Sequence, residues 1–281
     1  MLERYLSGLR GGLFVMTAVF ALSPLSGQAA ELALGGTGGS LGTMRMLGEA
    51  FVKANPGTTV KVLPSLGSGG GIKAVLAGAI SIGLSSRSLK QKERDAGARA
   101  HPYGKSALVF ATERNNPEVG VTTGQLIEIY SGVQKRWPGG MPIRIVLRPN
   151  TDSDTIALRR HIPSLGPALD AAQARPGIPV AFTAQAAADR LQRLPGGLGT
   201  TMLALILSEN RPLKALSLDG VAPTPEAMAD GSYGMTKTYS IVTGPAPGES
   251  AKRFIAFVYS DEGAAILRRT GYLPLAPEGG R

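Results

Sequence analysis

A glycine-rich loop between a strand pattern and a helix pattern constrains the fold of this chain more than any other stretch. Residues 59–63 (Thr-Val-Lys-Val-Leu) have the β-branched composition of a strand. From Ile72 onward the apolar residues recur at helical spacing. Ser68 and four glycines lie between the two patterns, and glycine allows the backbone to approach a ligand closely. Because the first N–H groups of a helix suit a negative charge, the stretch predicts an anion-binding loop, with a capped turn as the alternative.

Two further loops follow a predicted strand and precede a predicted helix. The first comes after residues 32–34 and the second after residues 143–147. Their polar and glycine residues include Thr37, Gly38, Arg148, Ser153, Asp154 and Thr155. One guanidinium and several hydroxyls could converge on a single oxyanion. The phosphate-binding motifs of nucleotide-binding proteins fit less well, because both require glycine at the position of Ile72.

The N-terminus has the pattern of a secretory signal. Arg4 and Arg10 form a basic region, residues 12–22 are apolar, and residues 27–29 (Gly-Gln-Ala) fit a cleavage site. We predict a signal peptide over residues 1–29; a membrane anchor is the alternative, but the apolar run is shorter than the ~20 residues that a spanning helix needs. The chain has no cysteine, which excludes disulfides, thiolate metal sites and lipid attachment through cysteine. A periplasmic protein that diffuses freely is therefore expected.

Length and charge narrow the function. After removal of the signal about 250 residues remain, enough for two medium α/β domains. The formal charge falls from +10 to +9, because two arginines and one glutamate leave with the signal. Such a field concentrates small anions. Aromatic residues make up only 5% of the chain and the basic residues are scattered, so no nucleic-acid partner is expected.

The order of the patterns divides the chain into two lobes. We predict lobe I over residues 30–112 and 237–281, and lobe II over residues 113–236, with the first crossover in the loop at residues 113–117. Residues 195–201 are expected to form a turn, although they could line a cleft. One helix is expected to continue from residue 250 to residue 269, and a strand over residues 239–243 returns the chain to lobe I.

These patterns together resemble the phosphate-binding periplasmic component of ABC transporters. The matching segments are residues 67–73, 82–86, 129–132 with Trp137, Arg148 before Ser153 and Thr155, and residues 216–221, 231–233, 251–258 and 271–275. The resemblance implies two α/β lobes joined by two crossovers, with an oxyanion bound between them and lobe closure on binding. It also implies ligand contacts from Thr37, Gly38 and Ser68 on one lobe, and from Arg148, Ser153 and Thr155 on the other.

The chain departs from the family pattern at two positions. Ser86 stands where the family commonly has an aspartate, and Asp154 stands between Ser153 and Thr155 where the family has glycine. Phosphate near neutral pH carries a proton that a carboxylate can accept, whereas sulfate carries none. We therefore predict that Asp154 replaces the missing acceptor, and we count Ser86 and Asp154 among the ligand-binding residues.

The expected function is capture of phosphate for uptake by an ABC transporter permease, by a monomer without cofactor or metal. The alternatives are another oxyanion (sulfate, molybdate or tungstate) and a sensor or scaffold role on the same fold. An enzyme is not expected, because nothing in the spacing places a base such as His161 beside a nucleophilic serine. A calcium loop starting at Asn150 is not expected either, because Thr155 and His161 stand where such a loop requires Gly and Glu. Capping of the helix by Asp152 or Ser153 is the simpler role for this acidic segment.

Overall fold

The computed structural model describes residues 30–277, so the predicted signal peptide lies outside the described residues. The strands are β1 (Ala30–Gly36), β2 (Thr58–Val62), β3 (Ile82–Ser85), β4 (Arg99–Glu113), β5 (Gly120–Val121), β6 (Arg144–Val146), β7 (Gly197–Met202), β8 (Leu213–Ala215), β9 (Ser217–Leu218), β10 (Thr236–Thr243) and β11 (Tyr272–Pro274). The helices are α1 (Leu41–Ala54), α2 (Gly67–Leu76), α3 (Gln91–Asp95), α4 (Thr123–Ser131), α5 (Ser153–His161), α6 (Gly166–Ala174), α7 (Ala184–Leu191), α8 (Leu203–Ser208), α9 (Pro225–Ala229), α10 (Glu249–Val258) and α11 (Asp261–Arg269). Among the described residues, no helix combines the length and apolarity needed to cross a bilayer.

The main sheet is mixed and has the strand order β2-β1-β3-β10-β4-β7-β6, with β8 and β11 also paired to β4. Strands β1, β2 and β3 are parallel, with Leu34 opposite Ile82. Strand β10 runs antiparallel between β3 and β4. The parallel strands therefore deliver their carboxyl ends, and the loops that follow them, to one edge of the sheet, where ligands of open α/β sheets bind.

Strand β4 connects the two lobes because it changes partners along its length. Its first part pairs with β10 up to Ala107, and its second part pairs with β7 from Leu108 to Ala111. The chain returns just before β10, where the Leu108 N–H donates to the Met235 carbonyl at 2.9 Å. This gives two lobes joined by two crossovers. The change of partners lies inside β4, ahead of the loop at residues 113–117; the boundaries at 112/113 and 236/237 stay predictions.

Close backbone packing positions the two glycine loops. A Cβ on Gly71 would lie 2.6 Å from the Gly35 carbonyl oxygen, so α2 begins directly against the end of β1. Gly36 has φ +151°, and a Cβ there would lie 2.1 Å from the Leu84 carbonyl oxygen on β3. Only glycine allows these approaches. They bring the start of α2 and the loop after β1 to the same edge of the sheet.

Two sequence predictions about local structure are wrong. The turn predicted over residues 195–201 is confined to residues 195–196, and residues 197–202 form β7, a fully buried strand between β4 and β6. The C-terminal helix is interrupted at Tyr259 and Ser260, where the Ser260 hydroxyl caps α11 by accepting from the Gly263 N–H at 3.2 Å. The cap gives α11 its own start, so α10 and α11 are separate helices.

Candidate anion-binding site

A small cavity of about 40 Å³ lies where the two lobes meet. Lobe I contributes Thr37, Gly38, Gly39, Ser65, Gly67 and Ser68, and lobe II contributes Arg148, Asp152, Ser153, Asp154 and residues 182–184. Helices α2, α5 and α7 begin at this cavity, and so does the 3-10 turn that leads into α1. The exposed N–H groups and positive dipole ends of several helices thus point to one small space, which is an arrangement suited to an anion.

Arg148 is the cation of the cavity wall and is only 6% exposed. Its Nη2 and Nε donate to the two carboxylate oxygens of Asp152 at 2.6 and 3.3 Å, and its Nη1 donates to the Ala181 carbonyl at 2.8 Å. A guanidinium has five N–H groups, so these contacts orient Arg148 and leave two donors for a ligand. Asp152 also accepts from the Asp154 N–H at 2.9 Å and caps α5, which confirms the predicted capping role.

Four hydroxyls form a connected cluster that crosses from one lobe to the other. Ser86 Oγ lies 3.1 Å from Thr37 Oγ1 and 3.3 Å from Ser68 Oγ, both on lobe I. It also lies 3.3 Å from Ser153 Oγ on lobe II. Thr37, Ser68 and Ser153 face the cavity, whereas Ser86 lies behind them and joins them. A hydroxyl both donates and accepts, so the cluster can reorient its protons toward the oxygens of a bound anion.

Asp154 is buried and paired with a lysine that the sequence analysis did not identify. Lys237 donates to Asp154 Oδ1, and to Ser153 Oγ at 2.8 Å, and the side chains of Lys237 and Asp154 are 4% and 6% exposed. Burial alone would raise the pKa of Asp154, but the charges of Lys237 and Arg148 outweigh it and lower that pKa. Burial and the charge of Asp154 raise the pKa of Asp152 against the attraction of Arg148. Asp154 is therefore an ionised carboxylate at the cavity wall.

Tyr239 adds a buried hydroxyl to the wall of the cavity. The residue is 1% exposed, its ring packs edge-on against Tyr272 at 5.3 Å, and its hydroxyl has no hydrogen-bond partner within the described chain. Burial, together with the charge of Asp154, raises the pKa of Tyr239 well above its usual value. The phenol therefore keeps its proton. An unsatisfied buried donor is costly, and a ligand oxygen in the cavity would satisfy it.

Six of the eight predicted site residues line the cavity: Thr37, Gly38, Ser68, Arg148, Ser153 and Asp154. Ser86 and Thr155 do not. Ser86 forms the centre of the hydroxyl cluster, and Thr155 donates to the Arg148 carbonyl at 3.4 Å. Ligand contact by any of the eight stays a prediction.

Three residues of this region were not predicted from the sequence: Lys237, Tyr239 and Gln185. The Gln185 Nε2 donates to the Gly38 carbonyl across the lobes at 2.7 Å. The one available signal was the spacing of Lys237 and Tyr239, two residues apart, which places them on one face of the same strand.

Comparison with known proteins agrees with this geometry. The family described as PBP superfamily domain matches residues 23–262. A "Phosphate-binding protein PstS" from Bacillus subtilis is 28% identical over 236 residues, which are 81% of this chain and 75% of that protein. This similarity confirms the resemblance predicted from the sequence motifs.

Solved structures share the fold at lower identity. A putative phosphate ABC transporter substrate-binding protein from Clostridium perfringens, with bound phosphate, is 24% identical with a TM-score of 0.74, over 87% of this chain and 99% of that one. A periplasmic molybdate-binding protein from Azotobacter vinelandii is 18% identical with a TM-score of 0.59, over 86% of this chain and 98% of that one. The two-lobed α/β fold is thus confirmed, and the chain belongs to the PBP superfamily domain family.

Proposed function

We propose that this protein captures inorganic phosphate between its two lobes. The observation that carries the proposal is the buried Arg148 guanidinium, which keeps two N–H donors for a ligand in a cavity where several helices begin. The hydroxyls of Thr37, Ser68 and Ser153 can satisfy further oxygens of a tetrahedral anion. The relative from Bacillus subtilis is described as a phosphate-binding protein, and the structural neighbour from Clostridium perfringens holds bound phosphate.

Asp154 would give the site its preference for phosphate. Its Oδ1 accepts from Lys237, which leaves Oδ2 to accept the proton of hydrogen phosphate. Sulfate has no proton to offer and would only be repelled. Molybdate and tungstate resemble sulfate in this respect, so a carboxylate acceptor favours phosphate over all three.

The protein would act in the periplasm and deliver phosphate to an ABC transporter permease, as a monomer and without catalysing a reaction. The signal pattern at residues 1–29 supports export, and the relative from Clostridium perfringens is described as an ABC transporter substrate-binding protein. N-terminal sequencing of protein released by osmotic shock tests this part. We expect a mature start at Ala30 or Glu31, and an intact Met1 on membrane-bound protein would contradict it.

Calorimetric titration with phosphate, sulfate and molybdate tests the ligand, with Arg148→Lys as the key variant. Lysine keeps the charge but cannot reproduce the fork that holds Asp152 and the ligand together. We expect a loss of about 2 kcal/mol in phosphate affinity, roughly thirtyfold. Arg136→Lys is the matched control, because Arg136 is exposed, lies outside the cavity and donates from its guanidinium to the Gly140 carbonyl. Equal phosphate affinity in both variants would remove Arg148 from the site.

A further inference from the structure

A second and much larger cavity adjoins the hydroxyl cluster. Its volume is about 760 Å³, against about 40 Å³ for the anion-binding cavity, and Ser153 lines both. We call it the basic groove, because its walls carry Arg87, Lys90, Arg94, Arg99, Arg160 and Lys237, and no aspartate or glutamate lines it in the described part of the chain. Its size is that of a pocket for an organic or oligomeric ligand and far exceeds the needs of one tetrahedral oxyanion.

Four of these six cations make no ion pair of their own, although Glu93, the partner of Arg87, also attracts Lys90. Arg87 is paired with Glu93 at 2.7 Å, and Lys237 is paired with Asp154. Lys90, Arg94, Arg99 and Arg160 form no ion pair with a carboxylate within residues 30–277. Like charges held around one groove repel each other, and an anion with several charges relieves that repulsion. A single phosphate ion would neutralise only part of the positive charge of the groove.

The floor of the groove can hold a terminal phosphoryl group. Ser86 and Ser153 lie there with their hydroxyl oxygens 3.3 Å apart, and Lys237 donates to Ser153 Oγ at 2.8 Å. Ser86 is 5% exposed and the Lys237 side chain is 4% exposed, so the floor is buried and built from fixed polar groups. Arg99 comes from lobe I and Arg160 from lobe II, and both are exposed. Two arginines that reach one groove from different elements suit a chain of linked anionic groups.

We infer that the basic groove binds a chain of linked phosphoryl groups, with its terminal group on Ser86 and Ser153 and the rest between Arg99 and Arg160. This site adjoins the cavity proposed for inorganic phosphate and shares Ser153 with it, but none of its four unpaired cations lines that cavity. The chain of phosphoryl groups could be a condensed inorganic phosphate or the triphosphate of a nucleotide, since the charge pattern is the same in both.

Calorimetric titration of the mature protein with tripolyphosphate tests the inference, at about 0.15 M salt where long-range attraction is screened beyond about 8 Å. The test variant is Arg99→Gln/Arg160→Gln. We expect it to bind tripolyphosphate at least about tenfold more weakly, which corresponds to about 1.4 kcal/mol. The control Arg136→Gln/Arg193→Gln removes the same charge at two exposed arginines outside both cavities and should bind as the unaltered protein does.

Further variants and ligands distinguish binding in the basic groove from binding in the phosphate cavity, and they identify the source of the linked phosphoryl groups. Arg148→Lys should lose phosphate affinity and keep tripolyphosphate binding, so failure of one proposal leaves the other testable. Tighter binding of adenosine triphosphate than of tripolyphosphate would assign the groove to nucleotides, and the reverse would assign it to condensed phosphate. No tripolyphosphate or nucleotide binding by the unaltered protein would overturn the inference. Equal losses in the two double variants would also overturn it, since any surface arginine would then serve.

Discussion

Asp154→Asn should lower the selectivity for phosphate over sulfate, and the size of this loss can be worked out from the contacts of Asp154. At about 4 Å and an effective dielectric of about 20, an isolated carboxylate would repel a unit anion by about 4 kcal/mol. The Lys237 ammonium is hydrogen-bonded to Asp154 Oδ1, so it would lie about 6.5 Å from the same anion and attract it by about 2.5 kcal/mol. The net repulsion of about 1.5 kcal/mol corresponds to roughly tenfold in affinity. Hydrogen phosphate and sulfate carry the same charge and meet the same net repulsion, so the discrimination comes from the hydrogen bond that only phosphate can donate to Asp154 Oδ2. A hydrogen bond to a charged group contributes about 1.5 kcal/mol or more, which offsets the repulsion for phosphate and corresponds to about tenfold in selectivity.

Asparagine removes this discrimination because its amide offers both a donor and an acceptor. Titrating phosphate and sulfate into both proteins at low salt measures it, at a pH where most of the phosphate carries one proton. We expect the ratio of the two affinities to fall about tenfold in the variant. Asp170→Asn is the matched control, since Asp170 is an exposed carboxylate paired with Arg159 and lies outside the cavity. An unchanged ratio in Asp154→Asn would refute the role of Asp154 as proton acceptor.

Three further predictions follow from the buried groups. Tyr239→Phe keeps the ring contacts but removes an unsatisfied hydroxyl. We expect the ligand-free variant to be more stable by about 1 kcal/mol in urea unfolding, and to bind phosphate about tenfold more weakly in calorimetry. Weaker binding without the gain in stability would mean that the hydroxyl has a partner in the ligand-free protein. Gly71→Ala should lower the melting temperature, because the new Cβ would lie 2.6 Å from a backbone oxygen. Gly69→Ala is the control on the same helix: its Cβ would have one atom within 4 Å, so the melting temperature should stay unchanged or rise. Equal shifts in the two variants would contradict the close packing of α2. The lowered pKa of Asp154 in the folded protein means that, as the pH falls, this carboxyl is protonated first in the unfolded chain. The free energy of unfolding should therefore fall as the pH drops below 3.8. The fall should be smaller in Asp154→Asn, and identical pH curves for the two proteins would contradict the ion pair between Asp154 and Lys237.

The anion loops could be predicted from the sequence because they depend on local chemistry. A β-branched run, glycines and an amphipathic run occur within about fifteen residues around Ser68, and the predicted helix is present as α2. It starts at Gly67, so Ser68 lies in its first turn and not before its start, where the pattern predicted it. The Arg148 loop is equally local: Asp152 caps α5 and holds the guanidinium four residues before it. Each of these arrangements is complete within one turn or loop, so no knowledge of distant contacts is needed.

Strand β7 could not be predicted because its glycines act through distant neighbours. Gly199 looks like a turn residue, but a Cβ on it would lie 2.9 Å from the Val146 carbonyl oxygen on β6. Its role is to let two strands approach, and the partner strand is about fifty residues away in the chain. Composition favours a turn, and tertiary packing overrides that preference.

The Lys237–Asp154 pair has no local signal at all, because the two residues are 83 positions apart. An aspartate at a glycine position in an anion site is unfavourable by itself, since it places a charge of the wrong sign beside the ligand. A buried lysine is equally unfavourable without a partner. Each residue makes the other tolerable, and Ser153, which accepts from Lys237 at 2.8 Å, connects the pair to Ser86 at 3.3 Å. Asp154 and Lys237 therefore act as one unit: Asp154 supplies a carboxylate to the site, and Lys237 keeps it ionised and limits its repulsion of the anion.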